Sequence, residues 1–288
     1  MIIDGTKIAL EIKKSLQKEV SLLQKNRLTP QLAIVFNDTD DSIRTYIRQK
    51  QKLGLELGIK VTLIEIKNSA TRRSITDKLN KLNKDPDIHG IIIQRPFPLP
   101  IPEVTLKKLV IPQKDVDGFY PKSCCEAPIA LSVYKILEYI RQKSGARKNL
   151  YEWLSNKKIL IIGRGESGGA PLAEYFRKNK IYFYQAHSQT KNINELISES
   201  DIIISCVGKP NIVRHDIVKS TAILIGIGLY RQDGKLQTDY DQEKIAKKVA
   251  FYTPAPGGVG PVNVSYLFYN LIQVMKLSSS HQYRSSMS

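Results

Sequence analysis

Ile159-Leu160-Ile161-Ile162-Gly163-Arg164-Gly165-Glu166-Ser167-Gly168-Gly169 is the stretch on which the reading of this chain turns. Its four apolar residues make a run of the length expected for a strand buried on both faces. The run passes directly into G-x-G-x-x-G, and Leu172, Ala173, Tyr175 and Phe176 then follow a helical pattern. Strand, glycine turn and helix in that order let a pyrophosphate approach backbone N–H groups at a helix N-terminus. Glycine loops also serve as plain turns, so the flanking strand and helix carry the dinucleotide reading. The next strand, expected over 182–185, should end in an acidic residue if it is to hold a ribose 2′-hydroxyl. It runs instead into Gln185-Ala186-His187-Ser188-Gln189-Thr190, with no carboxylate. Arg164 and Ser188 can meet a 2′-phosphate through charge and hydrogen bonding, so NADP is expected rather than NAD.

Outward from this loop the same alternation recurs. Strands are expected over 202–206 and 223–227. Upstream, Ile8, Ile12, Leu16, Val20 and Leu23 form a helical stripe with Thr6 as N-cap. A strand over 32–36, a helix over 42–57, a strand over 61–64, a helix over 75–82 and a strand over 90–93 follow. A helix over 131–141 then leads to the polar stretch 142–149, the best boundary between two α/β lobes with parallel sheets.

The 288 residues suffice for two ordinary domains, and 42% hydrophobic content excludes wholesale disorder. Lys+Arg 44 against Asp+Glu 27 gives +17, which favours nucleic acid, a membrane surface or small anionic ligands. A solvated lysine-rich surface explains the charge equally well. Cys124, Cys125 and Cys206 make neither a disulfide framework nor a zinc set, pointing to a reducing, cytoplasmic setting. No apolar stretch reaches the roughly 20 residues of a membrane helix.

In the first lobe Tyr46 and Lys50 share a helix face at i,i+4. Gln94 ends a buried strand ahead of Arg95-Pro96-Phe97-Pro98, and Lys114-Asp115-Val116-Asp117-Gly118-Phe119 places two carboxylates in one loop. Taken singly these are a surface lysine, a capping glutamine and turn aspartates. Taken in order with Gly163-Arg164, Gly169-x-Pro171, His187-Ser188-x-Thr190 and Thr253-Pro254-Ala255-Pro256-Gly257-Gly258-Val259-Gly260-Pro261, they change the reading. The chain closely resembles the bifunctional methylenetetrahydrofolate dehydrogenase/methenyltetrahydrofolate cyclohydrolase (FolD) family over nearly its whole length.

That resemblance implies an N-terminal α/β catalytic lobe that binds folate, residues 1–143, and a Rossmann-type NADP lobe, 144–261. A C-terminal helix, about 262–277, returns to the first lobe, and a tail over 278–288 is expected to be disordered. It also implies a homodimer formed through the Rossmann lobe, tetrahydrofolate substrates in a cleft between the lobes, and no nucleic acid, membrane or metal. By position Lys50 is the catalytic lysine, Gln94 its hydrogen-bonding partner, Tyr46 the group that packs on folate and Asp117 the pterin ligand. Pro96, Pro256, Gly257, Gly258, Gly260 and Pro261 complete the substrate site. NADP would meet Gly163, Arg164, Gly165, Gly168, Gly169, His187, Ser188, Gly208 and Ile227.

Elementary chemistry agrees with those roles. Loss of hydride leaves a methenyl cation, beside which a charged lysine is repelled, so burial and that charge should depress the Lys50 pKa and free its amine as a base. A carboxylate at Asp117 can meet a guanidine-like pterin edge with paired hydrogen bonds. Departures from the family pattern are a loop about two residues longer before Tyr46, and Ile43, Ala127, Ala130, Gly165, Gly226 (for Asp) and Val262-Asn263 at other positions. Two alternatives stand beside this reading: a monofunctional dehydrogenase, and a basic nucleic-acid-binding protein.

Overall fold

The computed structural model describes residues 1–37, 41–95, 97, 101–120 and 122–285. Pro96, one of the expected site residues, lies outside them.

The chain opens with α1 (Gly5–Lys25), β1 (Gln31–Phe36), α2 (Asp41–Leu57), β2 (Lys60–Glu65), α3 (Arg72–Lys84), β3 (Gly90–Ile93) and α4 (Glu103–Leu106). Asp4, not Thr6, caps α1: its Oδ1 accepts from the backbone N–H of Thr6 at 2.9 Å and of Lys7 at 3.2 Å. A carboxylate one residue outside the first turn reaches those free donors and also suits the positive end of the helix.

The three strands form a parallel sheet in the order β2-β1-β3. Successive residues of β1 point to opposite faces, and both faces are buried. Leu32, Ile34 and Phe36 pack with Leu16, Val20 and Leu23 of α1 and Ile43 and Ile47 of α2. Ala33 and Val35 pack with Ile75 and Leu79 of α3 and with Leu106 of α4.

Next come α5 (Pro128–Lys143), α6 (Leu150–Ser155), β4 (Ile159–Ile162), α7 (Gly169–Lys178), β5 (Tyr184–Ala186), α8 (Ile193–Glu199) and β6 (Ile202–Ser205). They are followed by β7 (Ile223–Gly226), β8 (Leu229–Gln232), β9 (Lys235–Thr238), α9 (Gln242–Ala246), β10 (Phe251–Tyr252) and α10 (Val259–Ser285). The second sheet is parallel, in the order β10-β7-β6-β4-β5. The chain leaves β4 to one side for β5 and returns on the other for β6, so the strand order reverses at β4. Dinucleotides bind at such a switch point, outside the carboxyl ends of the strands. β8 and β9 form a separate antiparallel ribbon turned by Asp233 and Gly234, with φ of 50° and 73°.

Contacts divide the chain into two units that differ from the sequence boundaries. One is Glu11–Pro128 with the chain from Val264 onward, and the other is Met1–Leu10 with Ile129–Asn263. The N-terminal segment joins the second unit because the Ile3 N–H donates to Tyr252 O at 2.8 Å and the Ile3 side chain is fully buried. Helix α5 joins it as well: Tyr134 meets Tyr175 of α7 edge to face, with ring centroids 5.7 Å apart.

The C-terminal helix supplies Val264, Leu267, Phe268, Leu271 and Ile272 to the core on the α1/α2 face of the first sheet. It begins earlier than the expected 262 and continues to Ser285, past the expected end of order. No glycine or proline follows Pro261 to stop it.

Candidate active site

Three elements of the first unit bring the polar residues together. Lys50 lies mid-way along α2, with Tyr46 one turn earlier and half-buried. Gln94 stands one residue beyond β3, and its backbone N–H donates to Val35 O at 2.8 Å, continuing the ladder to β1. The Lys114–Phe119 segment is pinned alongside β3, where Ile91 N–H donates to Lys114 O at 2.8 Å.

The Lys50 ammonium donates to Gln94 Oε1 at 2.8 Å, and the two residues are only 8% and 9% exposed. Gln94 Nε2 donates onward to Arg95 O at 3.0 Å, which fixes the orientation of its amide. Burial lowers the Lys50 pKa, and the nearby Asp117 carboxylate partly offsets this. Burial raises Asp117 in turn, while the charges of Lys50 and Arg95 pull it back. The Arg95 guanidinium stacks 3.7 Å above the Phe119 ring.

Two supports were not legible as site residues. Buried Asn270 of α10 donates from Nδ2 to Val116 O and to Glu126 O, both at 2.9 Å, holding the carbonyl next to Asp117. Asp115 accepts from the Tyr120 N–H at 2.7 Å, and burial pushes its carboxyl up to about 6. Lys114 is a brace: its ammonium donates to Leu82 O at 3.1 Å and to Asp85 O at 2.5 Å.

In the second unit the expected cofactor residues gather beyond the carboxyl ends of β4, β5, β6 and β7. Gly163 has φ of 109°, and a Cβ there would lie 3.0 Å from Cys206 O. A Cβ on Gly169 would lie 2.2 Å from Gly163 O, so the turn closes only on glycine. Gly165 faces open space, whereas Gly168 is buried toward Cys206 and Ile227. Arg164 and Ser188 are exposed and His187 is half-buried. The His187 N–H donates to Thr190 Oγ1 at 3.0 Å, which shapes the bend after β5.

Gly208, with φ of 75°, belongs to a loop organised by one fully buried carboxylate. Asp239, just after β9, accepts from the N–H groups of Val207 at 2.9 Å, Gly208 at 2.6 Å and Lys209 at 2.9 Å, and from the Ser205 hydroxyl. These residues fit a dinucleotide: the glycine turn has backbone where a Cβ would otherwise stand, and the exposed Arg164 and Ser188 suit a phosphate. Among the described residues no cluster of three acidic, histidine or cysteine side chains could hold a metal. None of their helices is long and apolar enough to cross a membrane.

The fold and the two clusters define a class: an α/β protein with a buried lysine–amide pair and a nearby carboxylate in one unit and a Rossmann-type dinucleotide-binding fold in the other. Two family models match, the "Tetrahydrofolate dehydrogenase/cyclohydrolase, catalytic domain" over residues 3–117 and the "Tetrahydrofolate dehydrogenase/cyclohydrolase, NAD(P)-binding domain" over 147–279. The chain belongs to the tetrahydrofolate dehydrogenase/cyclohydrolase family. It is 32% identical over 286 residues to the bifunctional protein FolD of Bacillus subtilis, with 97% of this chain and 99% of that one aligned. The crystal structure of the bifunctional FolD enzyme of Campylobacter jejuni superposes with a TM-score of 0.88 at 28% identity, covering 96% of this chain and 99% of that one. The Trypanosoma brucei FolD structure, complexed with NADP cofactor and inhibitor, gives a TM-score of 0.86 at 27% identity, covering 97% and 98%.

Proposed function

We propose that this chain oxidises 5,10-methylenetetrahydrofolate to 5,10-methenyltetrahydrofolate with NADP and hydrolyses the product to 10-formyltetrahydrofolate. The buried Lys50–Gln94 pair at 2.8 Å carries the reading. NADP, when bound, accepts the hydride. Gly163, Gly168 and Gly169 give its pyrophosphate access to backbone N–H groups, and Arg164 and Ser188 meet the 2′-phosphate.

The Lys50 amine does the proton chemistry. With its pKa lowered by burial, it can stand neutral beside the developing methenyl cation without repelling it. It then takes a proton from the water that adds to the methenyl carbon. Gln94, its amide anchored at Arg95 O, aims the amine without adding charge. Asp117 pairs with the pterin edge and Tyr46 packs on the folate, while the turn over Pro256, Gly257, Gly258, Gly260 and Pro261 is assigned to substrate recognition.

A coupled assay on one preparation tests this: methylenetetrahydrofolate and NADP, with NADPH and methenyltetrahydrofolate followed separately. NADPH formation with formyl product is expected. Methenyltetrahydrofolate that accumulates and is hydrolysed no faster than in buffer would leave a monofunctional dehydrogenase.

The homodimer and the cytoplasmic setting belong to the same proposal. The Rossmann-type sheet ends at β5, an edge strand that opens with exposed Tyr184 just after exposed Tyr182, and a second copy there would cover it. Sedimentation should give twice the chain mass. Cys124, Cys125 and Cys206 are all free thiols, in keeping with a reducing compartment.

A further inference from the structure

Residue 226 is glycine where the family pattern leads one to expect aspartate, and the space is taken. A Cβ there would lie 2.2 Å from Thr238 Oγ1 and 2.8 Å from the Tyr240 hydroxyl oxygen. Buried Tyr240 donates from its hydroxyl to Thr253 O at 2.6 Å and lies 3.3 Å from Thr253 Oγ1. The Gly226 N–H donates to the same Oγ1 at 2.8 Å. Burial raises the Tyr240 pKa, so the hydroxyl stays protonated and remains a donor.

Two residues on, Gln242 uses both ends of its amide on Ala255. Its Nε2 donates to Ala255 O at 2.9 Å and its Oε1 accepts from Ala255 N–H at 2.8 Å. Residues 240 and 242 thus grip residues 253 and 255 on either side of Pro254. Just beyond, Gly257 has φ of 95°, and a Cβ on Gly258 would lie 2.4 Å from Pro254 O. The turn leaves that grip with no slack. The motifs that define the site include neither Tyr240 nor Gln242.

We infer that Tyr240 and Gln242 are positioning residues for the folate reaction, setting where the Gly257-Gly258 turn stands, with Gly226 as the vacancy that admits the tyrosine. This rests on the substrate role proposed above for the Pro256–Pro261 residues. If the grip matters only for stability, removing it lowers the melting temperature and leaves kinetic constants alone. If it positions the loop, folate recognition suffers while the phosphate end of NADP, held in the Gly163–Gly169 turn, does not.

The test compares wild type with Tyr240→Phe, Gln242→Ala and Gly226→Ala. Thermal melting establishes that each is folded, and hydrogen exchange is read over 253–261. For the two grip variants, KM for methylenetetrahydrofolate should rise about five- to tenfold, the scale of one lost hydrogen bond. The Kd for NADP should hold, and amide exchange over 253–261 should quicken. Gly226→Ala, whose Cβ would press on Thr238 Oγ1 and on the Tyr240 hydroxyl, should raise KM in the same direction and quicken exchange over 253–261. Folded Tyr240→Phe and Gln242→Ala proteins with wild-type KM would overturn the inference. So would unaltered exchange over 253–261, a readout that needs no turnover. An inactive wild type would instead overturn the functional reading alone.

Discussion

Around Lys50 the chemistry sits in side chains, with Lys50 and Gln94 nearly sealed from water, whereas around Gly163–Gly169 the decisive positions are those with no side chain at all. In the first region burial sets the charge state: it lowers Lys50, raises Asp117, and makes each group's protonation depend on its neighbours. In the second, backbone packed to 2.2 Å from where a Cβ would stand shapes a cradle, and Arg164 within it is exposed. One region should therefore fail when a functional group is removed, and the other when an atom is added.

The largest effect expected is that of Lys50→Met, which keeps the length and removes the base. Cyclohydrolase should be abolished and the dehydrogenase slowed by about a hundredfold or more, the scale of a lost general base, with NADP binding intact. Substantial hydrolysis by that variant would move proton transfer elsewhere.

Next, Gly169→Ala should weaken NADP by about a hundredfold, because overpacking there costs roughly 1–3 kcal/mol and must displace the turn. Gly165→Ala, whose Cβ would meet no protein atom within 4 Å, should leave the turn in place and weaken NADP far less. Equal losses in titrations of the two variants would break the contrast.

Arg164→Ala sharpens the comparison from the solvent side. One charge-assisted contact is worth about 1.5–3 kcal/mol, so NADP should weaken about ten- to a hundredfold while NAD is spared. Equal loss for both cofactors would remove Arg164 from the 2′-phosphate.

The last expectation concerns stability rather than function. Asp115 has its pKa raised from 3.8 to about 6 in the folded chain, so between those values the unfolded chain gives up the proton more readily. Stability from this group is present below about pH 4 and is lost as pH rises toward 6, by on the order of 2–3 kcal/mol. Asp115→Asn, which still offers an oxygen to the Tyr120 N–H, should flatten that part of the profile. Melting curves from pH 4 to 7 that coincide in slope for the two proteins would refute it.

Where the sequence carries a local signal, it is readable. The strand–glycine–helix order around Gly163, the buried runs of β1, β3, β4, β6 and β7, and the i,i+4 pair of Tyr46 and Lys50 all depend on near neighbours. What escapes is long-range. The aspartate in Thr238-Asp239-Tyr240 has no local mark that it will serve four donors 30 to 34 residues away. Asn270 reads as one polar residue in an apolar helix until its two carbonyl partners, Val116 and Glu126, are seen. The β8–β9 ribbon also escapes, although Asp233-Gly234 is a hairpin signal, because its short flanks carry too many polar residues to read as strands. Gly226 looked like a plain departure, yet the side chains that fill its space lie 12 and 14 residues away, at Thr238 and Tyr240.

The last helix matters also to the making of the protein. The α1/α2 face of the first sheet is completed by Phe268 and Leu271, which the ribosome delivers long after β3 has ended at Ile93. At roughly 5–20 residues per second, synthesis separates the two by roughly 10–35 s. Through that interval Leu32, Ile34 and Phe36 lack the cover of α10, and a nascent chain stopped short of Val264 offers them to any neighbour. The unit that holds Lys50 takes its core from segments on both sides of Ile129–Asn263, so its assembly waits on translation past Met275.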